Sequence, residues 1–219
     1  MGLDAIASMK SPLLIALVLS ASNAFADSST NAPPPITNLV EVLPYVERFG
    51  KALKLDIPQP LTTNDITKSK YSKLTRTFGL TIGKTFTFEF NANDRLVDSF
   101  TDKTHSMIIL WREQDIKPLL KPSLIAETNA VQFAWKYLKR LGYEEKDLPL
   151  LPPKIKPWYW EPEGQNIKEQ LPFFTIEWAW VKSPDITYMT IEVDGIRERI
   201  NYFFTLYPRK ERGPPPPYE

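Results

Sequence analysis

Two periodicities alternate along this chain. Between Val42 and Leu53 the apolar side chains Val42, Tyr45, Val46, Phe49, Ala52 and Leu53 recur three and four residues apart, the spacing that lines one face of a helix. Pro44 falls within this stretch and is expected in the first turn, where a missing N–H costs nothing. From Lys73 the period drops to two, in Thr77–Ile82, Thr85–Phe90, Arg95–Thr101 and Ser106–Trp111, with Asn91–Asp94 as a turn. That pattern predicts a meander of antiparallel strands. A second helical face follows between Glu127 and Leu141, carrying Ala130, Phe133, Ala134, Tyr137, Leu138 and Leu141. Lys136, Lys139 and Arg140 sit near its C-terminus, where the helix dipole favours cations, and Gly142 is the expected left-handed stop. Strands return at Phe173–Val181, Tyr188–Val193 and Ile196–Leu206, the last two joined by Asp194-Gly195. Asp-Gly between alternating runs is a hairpin signal.

The two passes look alike: helix, polar or Pro-rich connection, strand, hairpin. Phe86–Asn91 and Met189–Asp194 match most closely, alternating apolar residues with Thr and Glu and ending at a turn-forming Asn or Asp. The second connection is longer, which a loop absorbs at little entropic cost. This predicts an α+β fold of two helix-plus-meander units, with a tandem duplication as one origin and shared patterning without common ancestry as the other. The second unit, through Ala130–Leu138, Leu141-Gly142, Phe173–Trp178 and Ile191–Gly195, resembles the PepSY-like, cystatin-like modules of exported bacterial proteins. In those, a helix with an alanine-rich face precedes strands, one of which ends in an Asp-containing turn. Ile196-Arg197 departs from the usual sequence after that turn, and the first unit matches only weakly. The resemblance implies a cystatin-like fold and a non-catalytic role in the envelope, such as restraining a peptidase. It carries over no binding residue.

The N-terminus changes the picture by adding an address. Lys10 and Ser11 precede the apolar run Pro12–Leu19, and Ala24-Phe25-Ala26 precedes Asp27. Positive residue, short apolar core and small-x-small site make a cleavable signal peptide over residues 1–26; an uncleaved anchor is the alternative. The core is too short to span a bilayer, which takes about 20 apolar residues. A start at Met9 instead of Met1 would give the better basic region. The expected organisation is a signal peptide, a first unit at 27–116, a second at 117–207, and a Pro-rich tail at 208–219.

Composition then removes several chemistries. The chain has no cysteine, so a lipoprotein anchor, disulfides, thiol catalysis and Cys-bound metal are out. A net charge of +1 without basic runs argues against nucleic acid as the main partner. Only eight glycines stand against 21 prolines, and neither phosphate-loop pattern occurs. His105 is the only histidine, which rules out a two-His metal site. Asp102 lies close enough in sequence to orient it, yet no G-x-S-x-G elbow presents a serine, so His105 is expected on a surface loop. Glu89 and Glu192 occupy matching strand positions opposite apolar neighbours and are expected in solvent. No catalytic, cofactor or metal residue is assigned.

The aromatics are the more informative set. Trp158, Tyr159 and Trp160 fall in the Pro-rich stretch Pro149–Pro162, expected as a loop whose rings stack on a ligand or fold over the sheet edge. Trp178 and Trp180 share a strand face and are expected against the second helix. Pro215–Tyr218 spells the P-P-x-Y pattern read by WW domains, here taken as an unstructured tail. The expectation for function is an exported, secreted or periplasmic, non-catalytic binding or regulatory protein taking a peptide, protein or polysaccharide ligand. The rivals are a carbohydrate or cell-wall binder using Trp158, Tyr159 and Trp160, and a hydrolase with an unrecognised carboxylate site.

Overall fold

Asn38 starts the first helix: its backbone is extended, and its Oδ1 accepts the Val40 N–H at 3.0 Å. The computed structural model describes residues 35–107, 113–148, 150–161 and 168–206. The expected signal peptide at 1–26 and the tail at 208–219 lie outside them. Helix α1 (Leu39–Leu53) buries Val42, Val46, Phe49 and Leu53 as the spacing requires, with Leu43 and Gly50 beside them. Tyr45 and Ala52 are only partly buried. Pro44 sits in the second turn and not the first. The helix tolerates it because burial of its apolar face outweighs the lost backbone bond, an interior proline costing about 3 kcal/mol.

Four strands follow, β1 (Ile66–Ser72), β2 (Thr77–Ile82), β3 (Phe86–Asn91) and β4 (Leu96–Asp102). Then come helix α2 (Glu127–Arg140) and four more strands, β5 (Lys154–Trp160), β6 (Glu169–Trp180), β7 (Ser183–Asp194) and β8 (Arg199–Thr205). All eight form one antiparallel sheet in the order β1-β2-β3-β4-β8-β7-β6-β5. The last strands of the two halves therefore meet at its centre, where Phe100 of β4 lies opposite Phe203 of β8.

The halves match in detail. In α1 the buried residues Val42, Val46, Phe49, Gly50 and Leu53 have the same spacing as Ala130, Ala134, Tyr137, Leu138 and Leu141 at α2. Each helix ends on a left-handed residue, Lys54 (φ 56°) or Gly142 (φ 84°). The next N–H folds back in each case, Leu55 to the Gly50 carbonyl at 2.8 Å and Tyr143 to that of Leu138 at 2.9 Å, a shared helix-stop geometry. The third strand of each half is interrupted alike, between Glu89 and Phe90 and between Glu192 and Val193. Asn91 Oδ1 accepts the N–H groups of Asn93 and Asp94, as Asp194 Oδ1 accepts those of Ile196 and Arg197. Both turns close on a left-handed residue, Arg95 (φ 57°) and Glu198 (φ 51°).

Both helices lie on one face of the sheet. The Phe49 ring contacts Phe88, Phe100 and Phe203 at 6.1, 6.0 and 5.6 Å between centroids, and α2 sets Trp135 edge-on to Trp178 at 5.8 Å. Trp178 is buried, as expected, while Trp180 is only partly covered, against Tyr188. Each fully buried large apolar side chain here contributes about 1.5–3 kcal/mol. A smaller cluster of Met107, Ile116, Leu119, Leu171 and Phe173 covers part of the other face; Phe173 and Phe174 alternate across the sheet.

Three further expectations change. Trp158–Trp160 is not a loop but the end of edge strand β5, where Pro157 is tolerated because an edge strand has a free side. Ser106 and Met107 lie in a turn beyond β4 instead of opening a strand, and the rest of that expected strand, 108–111, lies outside the described residues. Glu192 is fully buried, not solvated, because the cluster with Met107, Ile116 and Leu119 covers its side of the sheet; the Met107 N–H donates to Glu192 Oε1 at 3.0 Å. Glu89, its counterpart, is exposed as expected. Among the described residues no helix is long and apolar enough to cross a membrane.

Candidate functional site

The seam between the halves carries, at one end, a connected cluster of polar side chains. β4 delivers Asp102 there, the turn beyond it brings Thr104 and His105, and the second hairpin brings Asp194 from the end of β7, Arg197 from the turn, and Arg199 and Asn201 from β8. Asp102 Oδ1 accepts the Thr104 N–H at 2.9 Å and the Thr104 hydroxyl at 2.7 Å. Its Oδ2 accepts Arg199 Nη2 and lies 3.3 Å from His105 Nδ1. Arg199 Nε donates to Asn201 Oδ1 at 3.2 Å. Asn201 Nδ2 reaches the His105 carbonyl at 2.9 Å and Asp194 Oδ2 at 3.0 Å. Arg197 Nη1 completes the chain on Asp194 Oδ2 at 3.2 Å.

Asp102, Asp194 and Asn201 are all at most 1% exposed. Two buried carboxylates meet two guanidinium groups, so the cluster is charge-balanced, the condition under which buried charge is tolerated. Burial alone would raise the Asp102 carboxyl. The hydrogen bonds from His105 and Thr104, and the Arg199 charge, outweigh it and hold the group below the usual carboxylate range.

Three polar groups converge on His105 Nδ1. Thr104 Oγ1, whose one hydroxyl proton goes to Asp102, lies 2.7 Å from it. Asp102 Oδ2 lies at 3.3 Å and Arg199 Nη2 at 3.1 Å. Nε2, on the opposite edge of the ring, takes no hydrogen bond among the described residues. His105 is thus not a free surface histidine: its side chain is 23% exposed and tied to Asp102.

Beside this cluster opens a cavity of about 350 Å³. Thr104 and His105 form one wall; Ile196 and Arg197 of the β7–β8 turn form another. The third comes from the segment before α2, with Asp115, Pro118, Leu119 and Lys121. Leu119 and Ile196 also belong to the smaller apolar cluster, where Trp158 and Trp160 pack as partly buried neighbours. Trp158 Nε1 donates to Thr175 Oγ1 at 2.8 Å. Tyr159 points the other way, 44% exposed, with Lys168 Nζ 4.6 Å from its ring centre.

The structure thus packs Trp158 and Trp160 on the smaller apolar cluster, and none of Trp158, Tyr159 and Trp160 lines the cavity. Glu89 and Glu192 stand on different strands of the two halves and take no part in the cavity. Of the cluster, sequence reasoning found the proximity of Asp102 to His105 and missed Arg197, Arg199, Asn201 and Asp194. The one available signal was the departure at Ile196-Arg197 after an otherwise familiar turn. Among the described residues no three His, Asp or Glu side chains converge as a metal site would need.

No family model matches the chain, and no curated protein matches it. Among solved structures it is similar to the C-terminal domain of YpeB from Bacillus megaterium, at 12% identity and a TM-score of 0.42, over 79% of this chain. The chain spans 64% of the length of that structure.

Proposed function

We propose that this chain is an exported, non-catalytic binding domain of the bacterial envelope, PepSY-like in architecture, built by tandem duplication, and that it takes its ligand at the cavity beside His105. One observation carries the reading: the place where two otherwise matching halves differ. Where the second hairpin starts β8 with Arg199, the first starts β4 with Leu96; where β4 ends in Asp102, β8 ends in Thr205. One end of the seam has thus acquired a charged cluster and a cavity that the hairpin equivalences do not repeat. The common bulge, helix stop and turn support common ancestry of the halves, since helix-plus-meander patterning alone does not require them.

The non-catalytic part rests on how the polar groups are used. Both Asp102 oxygens and both Asp194 oxygens accept at least two donors or contacts each. Groups so occupied position a wall; they are not poised to attack a substrate. Export rests on the segment before Asp27 and is read from the sequence. The test has two arms on tag-free protein. Mass spectrometry of the exported protein should find Asp27 first. Assays on ester, amide and glycosidic substrates should show no turnover, while a partner retained from the exported fraction should be lost on His105→Ala. Turnover abolished by His105→Ala in a folded variant would overturn the non-catalytic reading.

The carbohydrate reading is favoured by one feature, the outward Tyr159 on edge strand β5. Polysaccharide binding that falls on Tyr159→Ala and ignores His105→Ala would select it.

A further inference from the structure

Resting on the reading that the cavity beside His105 is the binding site, we infer that its ligand presents a carboxylate flanked by a short apolar group, the chemistry of a peptide C-terminus. Charge comes first. Lys121 and Arg197 both line the cavity, with Asp115 as the acid among the lining residues, while Asp194 balances Arg197 from behind. Two cationic heads set in a concave wall offer an anion its contacts.

Arg197 is also aimed. Its own N–H and that of Ile196 donate to Asp194 Oδ1 at 3.0 and 2.8 Å, and Nη1 donates to Oδ2 at 3.2 Å. The buried carboxylate therefore grips one corner of a planar fork and leaves its other donors for a second oxyanion. His105 lines the same cavity beside Thr104.

The remaining wall is apolar. Pro118, Leu119 and Ile196 flank the cations, and Leu119 and Ile196 belong to the smaller apolar cluster. A bare phosphate would use the cations and leave this wall wet; a neutral sugar would leave the remaining donors of Arg197 without an anion. The volume, about 350 Å³, sits at the low end for small-molecule sites, enough for a terminal residue and little more.

The single histidine makes the test clean, because the imidazole signals of the tag-free chain report this cavity alone. They would be followed by NMR during titration with N-acetyl-leucine, N-acetyl-leucinamide and inorganic phosphate. The acid should shift them to saturation, the amide should not, and phosphate should bind more weakly than the acid. Arg197→Gln should weaken the acid about tenfold, the scale of one charge-assisted hydrogen bond. Lys121→Gln, whose exposed side chain lies outside the buried cluster, should weaken it without altering the melt. Equal shifts from acid and amide, or phosphate binding as tightly as the acid, would overturn the ligand class. Silence toward all three probes would overturn it too. If the exported partner still depends on His105, the cavity survives as the site and only the carboxylate inference falls. If that partner is also indifferent to His105→Ala, both fall.

Discussion

Replacing Gly195 by alanine tests how the cavity's second wall is held. Gly195 has no left-handed φ; the left-handed residue of the turn is Glu198. The glycine is there for close approach. Its N–H donates to the Pro172 carbonyl at 2.7 Å, and its own carbonyl accepts the Leu124 N–H at 2.7 Å. A Cβ at this position would lie 2.7 Å from the Pro172 carbonyl oxygen and overlap Ser123 Oγ. Ser123 Oγ is itself engaged with Ile125 O at 2.7 Å, and a backbone carbonyl in β6 has little room to give. Overpacking of this kind costs about 1–3 kcal/mol, and for a domain this size each kcal/mol lowers Tm by about 2–4 °C. Gly50 is the control. Its Cβ would overlap only the Ile57 side chain, chiefly the Cδ1 tip, a flexible end that can rotate, while alanine in a helix gains about 1 kcal/mol over glycine. Gly195→Ala should therefore lower Tm by several degrees, weaken any ligand of the Arg197 wall, and lose more stability in urea than Gly50→Ala. The reasoning is refuted if Gly195→Ala unfolds with the wild type, or if Gly50→Ala proves the costlier change.

Three further outcomes follow from the same geometry. Burial and the nearby charges of Glu89 and Glu192 push the Tyr202 hydroxyl up to about 12 from 10.0. A raised value means the protonated form is favoured by folding, so this stability is complete below about pH 10 and fades as pH climbs toward 12. Tyr202→Phe should flatten that alkaline limb in melts taken across the range. Asp102 runs the opposite way: held below 3.8, it contributes stability above the ordinary carboxylate range that is lost as pH falls through its lowered value, and Asp102→Asn should remove that acid limb. In the aromatic strip, Trp158→Ala should lower Tm clearly, since the ring is partly buried and bonded to Thr175, whereas Tyr159→Ala should leave it within about 1 °C.

Much of the architecture was legible because burial imposes period. Val42, Val46, Phe49 and Leu53 marked α1, Gly142 marked the end of α2, and the Phe86–Phe90 and Met189–Val193 alternations marked β3 and β7. What alternation reports is the face a side chain takes, not what later covers that face. Glu192 was misjudged for that reason: its burial depends on Met107, far away in sequence. β1 was missed because an exposed edge strand needs no apolar stripe, and Lys68 and Lys70 suit an edge that must not pair with other chains. Trp158–Trp160 was hidden by the prolines around it, which an edge strand accepts. The cluster was the least legible part. Asp102 and His105 lie close in sequence, but Arg199 and Asn201 come from the other half, joined to them only by the pairing of β4 with β8.

The central contention is that this cluster holds the seam and shapes a wall, and does no chemistry of its own. Groups retained for reaction commonly cost a protein stability, so their removal is neutral or stabilising; groups that brace a fold behave otherwise. A double-mutant cycle on Asp102→Asn and Arg199→Met, read by urea unfolding of tag-free protein, separates the two. Each single change should cost about 3–5 kcal/mol, because it strands a buried charge, and the pair together should cost well below the sum of the two singles. Single variants as stable as the wild type, or more so, would contradict it.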